Sequence, residues 1–189
     1  MHRWIPALLL VALLAAFRVL GSAFPEKLPN VQPLLALFLC SLVFLKGNAR
    51  WLLPTTVWLL TDPFTSLRQN HSIFGWHHLA LACGIAATAG IAWYARRRPT
   101  ALAVMGSAAL SAGIFYYLTN LISFATDPLY PKTVTGFIEA QWTGPTGYGP
   151  TWVFLRTLLA ANLAFTGLFL MARRSLPALS ASPSQIPAR

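Results

Sequence analysis

Residues Ser72–Gly90 read "SIFGWHHLALACGIAATAG". From Trp76 to Ala95 the residues are mostly apolar and long enough for one membrane helix, which needs roughly 20 such residues. This apolar run nevertheless opens on His77 and His78 and carries a thiol, Cys83, about two turns in. Reading the stretch as a membrane helix decides the class of the whole chain. Reading its donors decides what chemistry that helix offers.

The rest of the composition agrees with the membrane assignment. Of 189 residues, 56% are hydrophobic and only 10% are charged, against about 25% charged in an ordinary soluble domain. The mean hydropathy is +0.59. A soluble fold of this size would lack polar surface. Clear apolar segments run over Ile5–Phe24, Trp76–Ala95, Ala101–Phe124 and Thr151–Ala172, with two shorter ones over Gln32–Leu45 and Trp51–Leu60. The expectation is an all-α integral membrane protein with six transmembrane helices in residues 1–174, followed by a Ser/Pro/Ala-rich tail, 175–189, of disordered character. The first segment also has the basic start and apolar stretch of a signal peptide. Arg18 interrupts the cleavage region, so it is read as a retained helix.

Basic residues set the orientation. With a cytoplasmic N-terminus, the inner side holds Arg3, Lys46, Arg50, Arg96, Arg97, Arg98, Arg173, Arg174 and Arg189, nine of the fourteen Lys and Arg residues. The acidic residues Glu26, Asp62, Asp127 and Glu139 fall on or near the outer side. Both termini are expected in the cytoplasm of a bacterial cell, with the chain a multi-pass inner-membrane protein. The net charge of +10 is a topology signal facing anionic lipid, so no nucleic acid is needed as a partner.

The inner turns are short, "KGNAR" and "RRRPT", while the outer connections are long. The longest, "ATDPLYPKTVTGFIEAQWTGPTGYGP" (125–150), carries Tyr130, Phe137, Trp142 and Tyr148. Long ordered loops tend to be functional. An aromatic belt at the membrane interface explains some of these rings. An outward-opening pocket roofed by loops also explains why polar and aromatic residues collect on one side.

Catalytic patterns are absent: no HExxH, phosphate loop or nucleophile motif occurs. The histidines His71, His77 and His78 share one loop and helix start, which argues against a haem held between facing helices. Cys40 reads as a small apolar filler. Cys83 stands about 10 Å below the helix start among Ala80, Ala82, Gly84, Ala86, Ala87, Ala89 and Gly90. Small residues allow close helix packing, and beside a thiol they also leave room for a large flat ligand. A thiolate is a strong donor to a macrocycle-bound metal; His77 and His78 are competing donors.

The run "LPNVQPLLALFLCSLVFLKGNARWLLPTTVWLLTDP", with "FYYLTNLISF", "YPKTVTGFIEA" and "FLRTLLAANLAFTGLF", resembles the substrate-binding S-components of energy-coupling factor (ECF) vitamin transporters, closest to the cobalamin-type solitary S-components. The resemblance covers most of Leu28–Leu170. It implies a six-helix S-component-like bundle that binds a vitamin from outside. Asn30, Asp62, Asn120, Tyr130, Thr133 and Gly136 match the family pattern and imply loop closure and pocket polarity. In "ALLLVALLAAFR", Ala12 and Ala16 are similar to the face with which S-components dock on a coupling subunit and its ATPases.

Resemblance and residues together lead to cobalamin as the ligand. Cys83 is the candidate axial ligand to cobalt, and Trp76, His77, His78, Asn120, Tyr130, Phe137, Trp142 and Tyr148 are candidate binding residues. The expected activity is transport, namely corrinoid uptake. The alternatives are a membrane enzyme that removes an axial group from cobalt with the thiol's help (decyanation or dealkylation), an S-component for another vitamin, and a membrane scaffold protein.

Overall fold

The computed structural model describes the backbone of residues 5–23, 31, 33–68 and 76–175, and side chains within 8–17, 31, 33–61 and 78–174. The expected tail 175–189 lies outside the described residues except at its first position, as do Asn30 and His71. Seven α-helices and no strand are found among the described residues. They are α1 (Ile5–Ala23), α2 (Leu34–Phe44), α3 (Ala49–Arg68), α4 (Trp76–Ala95), α5 (Ala101–Thr126), α6 (Val134–Ile138) and α7 (Trp152–Ser175). A π-helical turn, Glu139–Thr143, continues α6.

Three stretches are long and apolar enough to cross a membrane: His78–Ala95, Ala101–Thr126 and Trp152–Arg174. Leu8–Phe17 and Leu34–Phe44 are shorter apolar pieces. Large apolar side chains such as Leu52, Leu60, Trp93 and Leu102 point outward. Apolar surface of this kind suits lipid rather than water, and the chain is a helical membrane protein.

The shortest of the main helices forms the axis of the bundle. α2 packs against α1, α3, α4, α5 and α7, and Leu34–Leu42 are all buried. A helix apolar on every side is a buried helix. At 11 residues it is about 16 Å long, near half of a hydrocarbon core of about 30 Å. α2 starts inside the bundle rather than at its end. Its N-cap position, Pro33, supplies no side-chain cap. Instead Asn162, fully buried ten residues into α7, accepts from the Ala36 N–H at 2.8 Å. Its own amide donates to Leu158 O at 2.8 Å. α2 and α7 therefore run parallel, from Ala36 beside Asn162 to Phe44 beside Phe169, whose rings lie 5.5 Å apart.

Sequence and structure agree closely on α4, with the same ends, and nearly so on α5 and α7. α5 begins where Thr100 accepts from Ala103 N–H at 3.2 Å. α3 extends into both flanks of its short apolar run. It starts at Ala49 and runs past Leu60 to Arg68, taking in the first part of what reads as an outer loop. At the point where the apolar run stops, Thr61 Oγ1 bonds back to Val57 O at 2.6 Å, a contact within the helix that hydropathy does not register.

Most of the described basic residues lie at one end of the bundle. Val43, Phe44, Ala92, Val104 and Leu170 share one cluster, so the α2–α3 turn, the α4–α5 turn and the end of α7 lie together. Lys46, Arg50, Arg96, Arg97, Arg98, Arg173 and Arg174 gather at that end. The Arg173 guanidinium sits 4.3 Å over the Phe44 ring. Asp127 and Glu139 belong to the opposite end.

Candidate ligand-binding site

The long connection between α5 and α7 is folded. Thr133 caps α6 by accepting from Gly136 N–H at 3.2 Å. After Ile138 the helix widens, and Gly144 N–H bonds to Glu139 O at 2.9 Å, closing the π-turn. Gly144 has φ +76°, a conformation that favours glycine. Thr151, just before α7, donates to Glu139 O at 3.1 Å and ties the turn to that helix.

α5 holds the other side. The Tyr116 hydroxyl donates to Gln141 O, and Gln141 Nε2 donates to Tyr117 O at 3.4 Å. Phe124 and Phe137 meet edge-on at 5.6 Å. The Lys132 ammonium donates to Phe124 O, to Asp127 O at 3.1 Å and to Tyr130 O at 3.2 Å. A cation on the last carbonyls of a helix also favours the helix dipole. Tyr130 is held as a neutral phenol: burial first, then the charges of Asp127 and Glu139, push its pKa up.

Close backbone packing at Gly136 gives a local prediction. A Cβ there would lie 2.0 Å from Pro131 O, whereas one on Gly149 meets nothing within 4 Å. Gly136→Ala should cost at least the upper part of the about 1–3 kcal/mol of an overpacked site and speed protease cleavage between Asp127 and Thr135. Gly149→Ala should leave cleavage unchanged. Equal cleavage rates in the two variants would show that the loop is not held by this contact.

Cys83 lies on α4 beside Gly84. Gly84 faces α5 so closely that a Cβ would stand 2.5 Å from the Phe115 ring. Its neighbour Cys83 turns away from that contact and is exposed. Leu79, Ala82, Ala86 and Gly90 are exposed with it, forming an open face of mostly small residues. Gly84 pairs with Phe115, and the next residue, Tyr116, reaches Gln141. Cys83 and the π-turn therefore stand within about one helical turn of the same height.

The remaining candidates are spread over α4, α5 and the loop. Asn120 lies one turn beyond Tyr116 on α5, half-buried, with its side chain beside the Tyr116 hydroxyl. Tyr130 and Phe137 are half-buried; Trp142 and Tyr148 are exposed. Trp142 packs on Trp152 at a centroid distance of 6.5 Å. His78 is half-buried at the start of α4. The side chains of Trp76, His77 and Asp62 lie outside the described residues. Among the described residues no three His, Cys, Asp or Glu groups gather to hold a metal ion. Sequence reasoning missed Tyr116, Gln141, Lys132 and Thr151, which build the loop. The adjacent tyrosines in "FYYLTN" were the available signal, since a tyrosine within an apolar helix needs a partner for its hydroxyl.

A family model described as "Family of unknown function (DUF6580)" matches residues 1–181. Comparison with curated proteins and with solved structures gives no match.

Proposed function

The chain belongs to the family of unknown function DUF6580, and from that premise we propose that it captures cobalamin at the loop end of its bundle and carries it across the membrane, with Cys83 as axial ligand to cobalt. The observation that carries this reading is the exposed Cys83 thiol on a face of small residues, level with a folded, aromatic-bearing loop. A corrin already supplies cobalt with its equatorial nitrogens. The protein has to add one axial donor, so a cluster of ligands is not required. Ala82 and Ala86 let a flat macrocycle approach the sulfur, which bulky neighbours would prevent. The thiolate gives a lone pair to cobalt in place of a weaker axial ligand. The amide of Asn120, beside the Tyr116 hydroxyl, adds a polar group on α5 for the corrin's polar substituents.

In this reading the chain crosses the bacterial inner membrane six times, with the helix α2 covering about half of its crossing. The basic end and both termini are cytoplasmic by the positive-inside rule, and the α6 loop faces outward. Ala12 and Ala16 are exposed on α1 beside Leu8 and Val11, and they form the docking face for an ECF coupling subunit and its ATPases. Transport follows from reorientation of the loaded bundle.

The test is binding by the purified full chain. Aquacobalamin should bind one to one and change its visible spectrum as sulfur replaces water on cobalt. Cells dependent on external cobalamin and lacking their own uptake system should grow when they express the chain. A protein that stays colourless at micromolar cobalamin ends the proposal. A spectrum that keeps changing after binding cyanocobalamin would indicate removal of the axial group by the thiol.

A further inference from the structure

Arg156 is exposed on α7, and its position is unusual for that helix. The side chains at Arg156, Ala160, Ala164, Leu168 and Met171 are all exposed, whereas Thr157, Leu158, Ala161, Asn162, Phe165, Thr166 and Phe169 are buried. Arg156 thus tops the outward stripe of a helix apolar enough to cross a membrane. A cation in the second turn gains nothing from the helix dipole, which favours cations only at the C-terminal end, so stabilising α7 does not account for it. Among the described residues no carboxylate is paired with it; its guanidinium lies 5.4 Å over the Trp152 ring, and Trp152 packs on Trp142.

The depth of Arg156 follows from the helix itself. Residues 157–172 carry no charge, and the next cation is Arg173. The two arginines are separated by about 25 Å along the axis at 1.5 Å per residue, close to the thickness of a hydrocarbon core. A hydrocarbon core of that thickness set between the two arginines puts Arg156 at the headgroup layer of the leaflet on the α6 side. Beside it, Val134, Ile138 and Trp142 are spaced four residues apart along α6 and the π-turn. They are 78%, 49% and 56% exposed, while Gly136 and Ala140 face inward. Trp142, packed on Trp152, joins the end of this apolar stripe to the head of α7.

We propose that Arg156, seated on Trp152, binds the phosphate of an anionic phospholipid in that leaflet, with Val134, Ile138 and Trp142 resting on its acyl region. The planar guanidinium offers paired donors to two phosphate oxygens. The indole face keeps the side chain extended toward the interface. The site sits on the outside of α7, and its occupant is lipid rather than the transported ligand.

The experiment uses the full chain in vesicles of phosphatidylcholine and phosphatidylglycerol in equal parts, extracted gently and weighed intact by native mass spectrometry. The wild-type chain should retain one phosphatidylglycerol in preference to phosphatidylcholine. Arg156→Gln should reduce that retention about tenfold, the scale of one lost charge-assisted pair. Arg156→Lys keeps the charge without the fork and should fall between the two, which guards against a folding defect in the glutamine variant. Equal retention of both lipids, or an unchanged preference in Arg156→Gln, overturns the proposal. Displacement of the lipid by millimolar inorganic phosphate would also overturn it, by making the site one for free phosphate.

Discussion

Replacing Cys83 by serine is expected to reduce corrinoid affinity roughly a hundredfold, the upper end of what losing even a hydrogen-bonding partner of a metal ligand costs, and to leave the bound corrinoid with its unshifted spectrum. The substitution exchanges a soft donor for a hydroxyl of nearly the same size, so packing is disturbed little. Cys83 is exposed and has no tight cavity to lose. Its effect on stability should therefore stay small while its effect on binding is large. Cys40→Ser is the matched control. Cys40 is fully buried in α2, where a macrocycle cannot reach it, so the spectrum should not change. Alkylating reagents should label Cys83 in the empty chain and fail to do so once cobalamin is bound, since the thiolate serves as both nucleophile and ligand. If Cys83→Ser binds with a normal shifted spectrum and His78→Ala does not, the axial donor is an imidazole at the head of α4.

Much of this fold is legible in the sequence because the bilayer imposes length and hydropathy on α4, α5 and α7. Trp76–Ala95 is bounded by polar loop residues on one side and "RRRPT" on the other, and the helix ends there. The role of α2 was not legible. "LLALFLCSLVF" is apolar on every face, and a run without periodicity does not distinguish a short crossing from a buried axis. Its placement depends on Asn162, a partner 126 positions away. The end of α3 was not legible because hydropathy falls at "TDP", yet the helix continues through it. The site divides in the same way. Cys83 is visible as a donor, but alanine and glycine on all sides of α4 leave no stripe from which to predict its exposure. Gly84 against Phe115 decides that, and it is a contact between helices. The order in the outer loop rests on Tyr116, Gln141 and Lys132 bonding to backbone carbonyls, which leave no motif.

The core of the bundle makes the second large prediction. Asn162→Leu is close in volume and more apolar, so a count of buried surface would favour it. The opposite is expected, a loss of about 3 kcal/mol, because the leucine leaves the Ala36 N–H without an acceptor. An unsatisfied buried donor costs about 1–3 kcal/mol, and the upper end applies where lipid and protein exclude water. No other cap is at hand, since Pro33 provides no side-chain bond to the first turn of α2. Asn162→Asp separates the acceptor from the amide. It keeps an oxygen facing the helix N-terminus, where negative charge is favoured, and should therefore melt above the leucine variant in detergent. Hydrogen exchange at Ala36 should be slow in the wild-type chain and faster in Asn162→Leu. If the leucine variant melts at the wild-type temperature with Ala36 still protected, the first turn of α2 is held by something other than Asn162. α2 would then be anchored from α3 or α4, and the bond to α7 would be a consequence of that packing rather than its cause.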